Sequence, residues 1–254
     1  MIENLPADLS IGSVAVLAIT ALVAGCARGF SGFGGALIFV PVASSVVGPK
    51  LAVPLLLIVD VVVTPGLLPN AWRRADRLNV GVMAAGAALG IPLGTYLLTH
   101  IDGTTIRWAI VGIVVALLAL LMSGWRYHGR PHGSLTVAVG LTSGLFSGAA
   151  QVGGPPVVAY WLGGTWPPQA VRANIVLYFA ISSLLSIASY LVAGIITLES
   201  ILLSVMIGPT FAAGLFCGSR LFRRANEKTF RRICYSLIAA ASLISLPVLD
   251  GILR

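Results

Sequence analysis

The chain has 254 residues, 57% of them hydrophobic and only 9% charged, with 16 Lys and Arg against 8 Asp and Glu. A charged share roughly a third of that of an ordinary soluble domain excludes a water-soluble fold and leaves an all-α, polytopic membrane protein. The net charge of +8 does not point to nucleic acid, because the basic residues lie in short stretches between apolar runs, as membrane topology signals do.

In chain order, charge-free runs cover 9–27, 29–49, 78–99, 108–125, 133–171, 173–198, 200–219 and 233–249. Most are close to the ~20 residues of a bilayer-crossing helix. None alternates as a strand would, and backbone amides in hydrocarbon must pair internally, so the spanning elements are helices. Val23-Ala24-Gly25-Cys26 has the look of a lipoprotein processing site. Glu3 and Asp8 precede it with no basic residue and an equally apolar stretch follows, so a retained membrane helix is expected. Cys26, Cys217 and Cys234 are odd in number and sit in or beside apolar runs, which favours packing roles over disulfides.

Arg73, Arg74 and Arg77 mark one inside loop, Arg126 and Arg130 a second, and Arg220, Arg223, Arg224, Lys228, Arg231 and Arg232 a third. The stretches 99–106 and 193–200 hold no Lys, and Arg is absent from both, so both are expected outside.

The two halves repeat. Gly25, Gly29, Gly34 and Gly35 match Gly144, Gly148, Gly153 and Gly154 at a constant offset of 119, and Pro49 falls on Pro168. Further on, Gly90 and Gly94 match Gly214 and Gly218 at an offset of 124, with Leu97 on Leu221, Thr105 on Thr229 and Arg107 on Arg231. Ordered matches of this kind favour duplication over the general abundance of glycine in membrane helices. The loop after Gly94 carries no base whereas the loop after Gly218 carries six. Equivalent points therefore face opposite sides, and two inverted repeats, 1–125 and 126–254, are expected. Residues 9–47 read as a hairpin of two short helices broken near 29–35, and 134–164 as its counterpart broken near 151–154. Full spans follow at about 51–70, 78–99, 105–124, 170–192, 199–220 and 230–250, giving about 8–10 membrane segments with both termini outside. Eight spans in parallel copies remain the plainer alternative, at the expense of the charge rule.

Broken helices in inverted repeats place unpaired backbone groups at mid-depth, where helix N-termini can direct N–H donors at an anion. Gly34-Gly35 and Gly153-Gly154-Pro155-Pro156 fit helix starts, since proline is tolerated in a first turn. Ser31 and Gln151 precede the glycine pairs and can add side-chain donors. Gly25/Gly29 and Gly144/Gly148 have the spacing of tight helix crossings. Arg28, the one charge between 9 and 49, either pairs with an anionic substrate or snorkels to the interface. Asp60, mid-way along 51–70 between Pro54 and Pro65, either carries a coupling proton or partners Arg28. Arg172 reads as a topology anchor. Asn174, Tyr178, Ser182, Ser186 and Ser189 share a helix face that either lines a polar pathway or hydrogen-bonds between helices.

The signatures Gly32-Phe-Gly-Gly-Ala-Leu-Ile-Phe-Val-Pro41 and Gly148-Ala-Ala-Gln-Val-Gly-Gly-Pro-Pro156 resemble those of the sulfite exporter TauE/SafE family, along the whole chain. The resemblance implies a permease of the bacterial inner membrane that moves sulfite, sulfonates or other small organic anions without ATP or a bound cofactor. The candidate substrate-binding residues are then Arg28, Ser31, Gly32, Phe33, Gly34, Gly35, Gln151, Val152, Gly153, Gly154, Pro155, Asn174 and Tyr178, with Asp60 for proton coupling. A membrane-embedded enzyme would need a nucleophile with its base, a carboxylate pair or a metal cluster. His100, His128 and His132 lie in or beside loops, and no Cys/His metal spacing exists, so no metal is expected. A passive anion channel can use the same backbone donors and stays open. The expected partners are a small anion and the lipid bilayer. Monomer and homodimer both remain open, as do the identity of the anion and the direction of transport.

Overall fold

The computed structural model describes residues 10–31, 34–63, 68–125, 127, 132–164, 166–222 and 227–250, and these are helical with short connections. The helices are α1 (Ile11–Ser31), α2 (Gly35–Val47), α3 (Pro49–Val63), α4 (Leu68–Arg74), α5 (Arg77–His100), α6 (Gly103–Ser123), α7 (Gly133–Ala150), α8 (Gly154–Gly163), α9 (Pro168–Val192), α10 (Leu198–Phe222) and α11 (Glu227–Ile244), followed by a 3-10 turn at Pro247–Leu249. Among the described residues six helices, α1, α5, α6, α7, α9 and α10, are long and apolar enough to cross a membrane. The shorter α2 and α8 follow the two expected breaks.

Two segments end earlier than the apolar runs suggest. The span expected over 51–70 stops at Val63, and a separate short helix begins at Leu68 with Pro69 in its first turn, where the missing N–H has no intrahelical acceptor to lose. Arg73 and Arg74 are therefore helical, and the connection to α5 is confined to Ala75 and Asp76. The span expected to 250 stops at Ile244 because Pro247 disfavours helical geometry in the residue before it. Pro65 lies outside the described residues.

The helices group into two compact units, Met1–Val59 with Ile101–Leu118 and Gly194–Arg254, and Asp60–His100 with Ala119–Ala193. In the first unit α1 crosses α10 with glycines at the contact: a Cβ built on Gly25 or Gly29 would overlap the backbone carbonyl of Phe211 or Leu215, and one on Gly214 or Gly218 would overlap that of Leu22 or Cys26. In the second unit α5 crosses α7 in the same way. A Cβ on Gly144 or Gly148 would strike the backbone of Ala87 or Ile91, and one on Gly90 or Gly94 that of Leu141 or Leu145. Adding 119 to the α1 residues and subtracting 124 from the α10 residues converts each contact of the first unit into one of the second. The two offsets read from sequence thus recur as four matched backbone contacts, one set per unit. Small residues let helix backbones meet where lipid offers no hydrophobic drive for association.

Each unit has further ties. In the first, Arg107 of α6 makes a bidentate pair with Asp250, at 2.5 and 2.9 Å, and its Nη2 also donates to the Ser245 carbonyl at 3.2 Å, tying the C-terminal turn to α6. Ser204 of α10 donates to the Leu55 carbonyl of α3 at 3.2 Å. Asp102 caps α6 by accepting the Thr105 amide at 2.8 Å, and hydrogen bonds from Thr105 lower its carboxyl pKa. In the second unit Trp161 of α8 is fully buried against Met83, Leu177 and Tyr178. Its indole N–H donates to Asn79 Oδ1 at 2.8 Å, satisfying a polar atom that burial would otherwise leave costly. Cys26, Cys217 and Cys234 are free thiols.

Candidate functional site

The first break lies between α1 and α2. Arg28 occupies the last turn of α1, and Gly34 and Gly35, both buried, open α2. A Cβ on Gly35 would come within 2.8 Å of the Ala24 carbonyl oxygen and 3.1 Å of Arg28 Cβ. The missing side chain therefore lets the start of α2 sit directly on the last turns of α1, beside a half-buried arginine. The first turn of α2, Gly35-Ala36-Leu37, retains an N–H on every residue. Initial helix amides have no intrahelical acceptor and carry the positive end of the helix dipole. Gly32 and Phe33 lie outside the described residues. Ser31 closes α1, and its side chain is outside the description too.

The second break lies between α7 and α8 and is fully described. Helix α7 ends with Gln151 in the left-handed region at φ 57 and ψ 21, the one non-glycine residue with positive φ among those described. The Gln151 amide donates to the Ser147 carbonyl at 2.9 Å and that of Val152 to the Phe146 carbonyl at 3.3 Å, a helix ending that glycine usually occupies. Gly153 then caps α8, and Gly154, Pro155 and Pro156 form its first turn. Two of those three residues lack an N–H, so this helix start offers fewer donors than its counterpart.

Side chains from α7 and α9 hold this second break. Ser143 Oγ donates to the Gly153 carbonyl at 2.7 Å and accepts from the Tyr178 hydroxyl at 2.9 Å. Gln151 Nε2 donates to the Tyr190 hydroxyl at 3.0 Å, and that hydroxyl lies 2.8 Å from the Gly148 carbonyl and 3.1 Å from that of Ser147, donating to this pair. Ser143, Tyr178 and Tyr190 are fully buried. A Cβ on Gly153 would overlap the Ser147 hydroxyl and the Ser143 carbonyl, so glycine is needed there for the close approach.

The structure thus brings Gln151, Val152, Gly153, Gly154, Pro155 and Tyr178 together in the second unit, and Arg28, Gly34 and Gly35 together in the first. Asn174 is elsewhere in the second unit: its Oδ1 accepts the Asp76 amide at 2.8 Å at the start of α5. Its buried Nδ2 has no hydrogen-bond partner among the described residues. The polar stripe of α9 faces inward, with Ser182 and Ser186 buried and Ser189 donating to Thr95 of α5 at 2.9 Å. Arg172 is exposed at the start of α9. Asp60, expected mid-span, lies half-buried in the last turn of α3, because the helix stops at Val63.

Ser143 and Tyr190 were not singled out from sequence, although both carry a signal. The polar spacing of four along α9, 174, 178, 182 and 186, continues to Tyr190, one residue past Ser189. Ser143 lies four residues before Ser147, on the same face of α7.

A family model described as Sulfite exporter TauE/SafE matches residues 17–244, which takes in both breaks and both glycine crossings. The chain belongs to the sulfite exporter TauE/SafE family. It is therefore a multi-pass membrane protein of a transporter family. Neither a curated protein nor a solved structure matches the chain. Within this chain the two glycine-rich stretches, 32–41 and 148–156, lie at the starts of α2 and α8.

Proposed function

We propose that this protein is a secondary carrier of small anions, of the sulfite and organosulfonate kind, in a bacterial inner membrane. It works by alternating access between two copies of one unit in inverted orientation. The observation that carries the reading is the pair of broken hairpins, each set beside a glycine crossing whose contacts repeat at the two sequence offsets. Duplicated units with broken helices give a transporter two pseudo-equivalent halves, and helix starts within the membrane give it donors for a desolvated anion. Inversion rests on the placement of basic residues, with none in 99–106 and six around the equivalent loop after Gly218. In this reading Arg28 with the amides of Gly34 and Gly35, and the amides of Gly153 and Gly154, are the anion-binding groups. Asp60 carries the coupling proton, as an acidic side chain set half-buried in the last turn of an apolar helix.

The test is anion-driven pH change in proteoliposomes, with sulfite, sulfate, taurine, sulfoacetate and acetate as the panel and Asp60→Asn as the control. The expected result is proton movement driven by one or two of these anions and abolished by the substitution. Anion flux without proton movement removes the role of Asp60 and leaves the carrier. Flux that does not saturate with anion concentration favours a channel, and no flux of any anion sinks the reading.

A further inference from the structure

We infer that Gln151 and Tyr190 form a positioning pair that fixes the second helix break from α9, and that Gln151 acts through Tyr190 and not on the anion itself. The inference rests on the carrier reading for its consequence in transport, but its geometry stands independently. A non-glycine residue held at φ 57 is strained, and such strain persists only where the surroundings impose it. Glycine or asparagine would occupy this conformation at lower cost. A glutamine retained there therefore points to a task for its side chain, and the structure supplies one in the hydrogen bond from Nε2 to the Tyr190 hydroxyl. That hydroxyl in turn donates to the last carbonyls of α7, at Gly148 and Ser147. Gln151 and Tyr190 thereby connect the end of α7, the break and α9 through one fully buried oxygen.

The other copy supports the assignment. At the offset of 119 the residue equivalent to Gln151 is Gly32, and the residues that the two offsets make equivalent to Tyr190 are Ala71 and Gly66. Where the glutamine is absent the tyrosine is absent too, as expected of two residues that work as a pair. A shift of α9 along its axis would move the Tyr190 hydroxyl and with it the helix ending that sets the direction of the Gly153 and Gly154 amides. Tyr178 reaches the far side of the same break through Ser143, so α9 holds it at two points.

The experiment combines hydrogen exchange of the purified full-length protein with sulfite flux in proteoliposomes, for Tyr190→Phe, Gln151→Asn and the double variant. Asparagine tolerates the left-handed backbone but is one methylene too short to reach Tyr190. Gln151→Asn, which loses one buried hydrogen bond, is expected to speed exchange of the Gln151 and Val152 amides about three- to tenfold, and Tyr190→Phe, which also loses the bond to the α7 carbonyls, by at least as much. The double variant is expected to add nothing further. Ser189→Ala, which removes the neighbouring bond to Thr95, leaves these amides unchanged. In flux both single variants raise the KM for sulfite, Tyr190→Phe by at least the factor of Gln151→Asn, with the maximal rate within about twofold. Unchanged exchange in Tyr190→Phe, or additive effects in the double variant, overturns the pairing. A KM raised by Gln151→Asn but not by Tyr190→Phe also overturns it, by making Gln151 a direct ligand. If the unsubstituted protein moves no sulfite, the carrier reading loses that anion, and the exchange pattern alone decides the pairing.

Discussion

The two helix breaks are equivalent in sequence and differ in chemistry. The first has a cation against it: Arg28 packs beside Gly35, and the following turn keeps all its amide hydrogens. The second has Ser147 at the position equivalent to Arg28, and prolines at the positions equivalent to Ala36 and Leu37. The second is braced by the Ser143, Tyr178, Gln151 and Tyr190 hydrogen bonds, whereas the first has Ala24 where the second has Ser143. The backbone contacts of the two units match while the side chains at the breaks differ. One copy took up charge and donors, the other polar bracing. The first break thus offers a cation and more backbone donors, and the second is a shaped, donor-poor wall.

The scaffold itself is the place to break the comparison first. Gly29→Ala and Gly148→Ala put a Cβ into a backbone carbonyl on the facing helix, at Leu215 and Ile91 respectively. No side chain can rotate out of the way, so the helices must separate. Each is expected to destabilise the purified protein by about 3 kcal/mol, near the upper end for overpacking. The two values should agree within about 0.5 kcal/mol if the crossings are equivalent. Gly112→Ala on α6, where a Cβ meets nothing within 4 Å, should instead stabilise by up to about 1 kcal/mol through helix propensity. Thermal unfolding of the three variants reads all of this, and unequal losses at Gly29 and Gly148 would dissolve the equivalence.

Charge divergence comes next in size. Arg28→Gln is expected to raise the KM for the transported anion about ten- to a hundredfold, the loss of a charge-assisted hydrogen bond. Ser147→Ala should change it less than about threefold, since no charge is removed. Initial rates in proteoliposomes at varied anion concentration measure both. Equal effects at the two positions would mean that the breaks contribute alike and that the arginine is an interfacial residue.

Much of this was legible in the sequence because membrane embedding simplifies the code. Uncharged length gave the helices, and the glycine pairs located both breaks, since a helix inside hydrocarbon is interrupted only where the backbone can be satisfied otherwise. The offsets 119 and 124 relate the contacts of one unit to those of the other, although the sequence alone paired neither α1 with α10 nor α5 with α7. Less legible were features that depend on a distant partner. The Arg107–Asp250 pair joins residues 143 apart in the chain, and nothing in the local pattern at either end signals it. Asn174 was grouped with Tyr178 by helix face, yet its carbonyl serves the start of α5 while Tyr178 reaches the break. Two side chains on one face, one turn apart, can meet different helices. The early end of α3 was hidden by Pro65 and Pro69, since proline is common both inside membrane helices and at their starts. The apolar run continues through them.

The smallest expected effect sharpens the comparison most directly. Pro155→Ala restores an N–H at the second helical position of α8, which the first copy already has at Ala36. If the second break meets the anion through backbone donors, one added donor at a helix start is worth about 0.3–1 kcal/mol, and the KM should fall about two- to fivefold. The same substitution gives the unfolded chain more freedom, so thermal stability should drop by about 0.4–1 kcal/mol. Tighter binding in a slightly less stable protein is an unusual combination that general loosening does not produce. An unchanged KM with the same loss of stability would mean that the prolines shape the wall and that the anion is held by the first copy's groups.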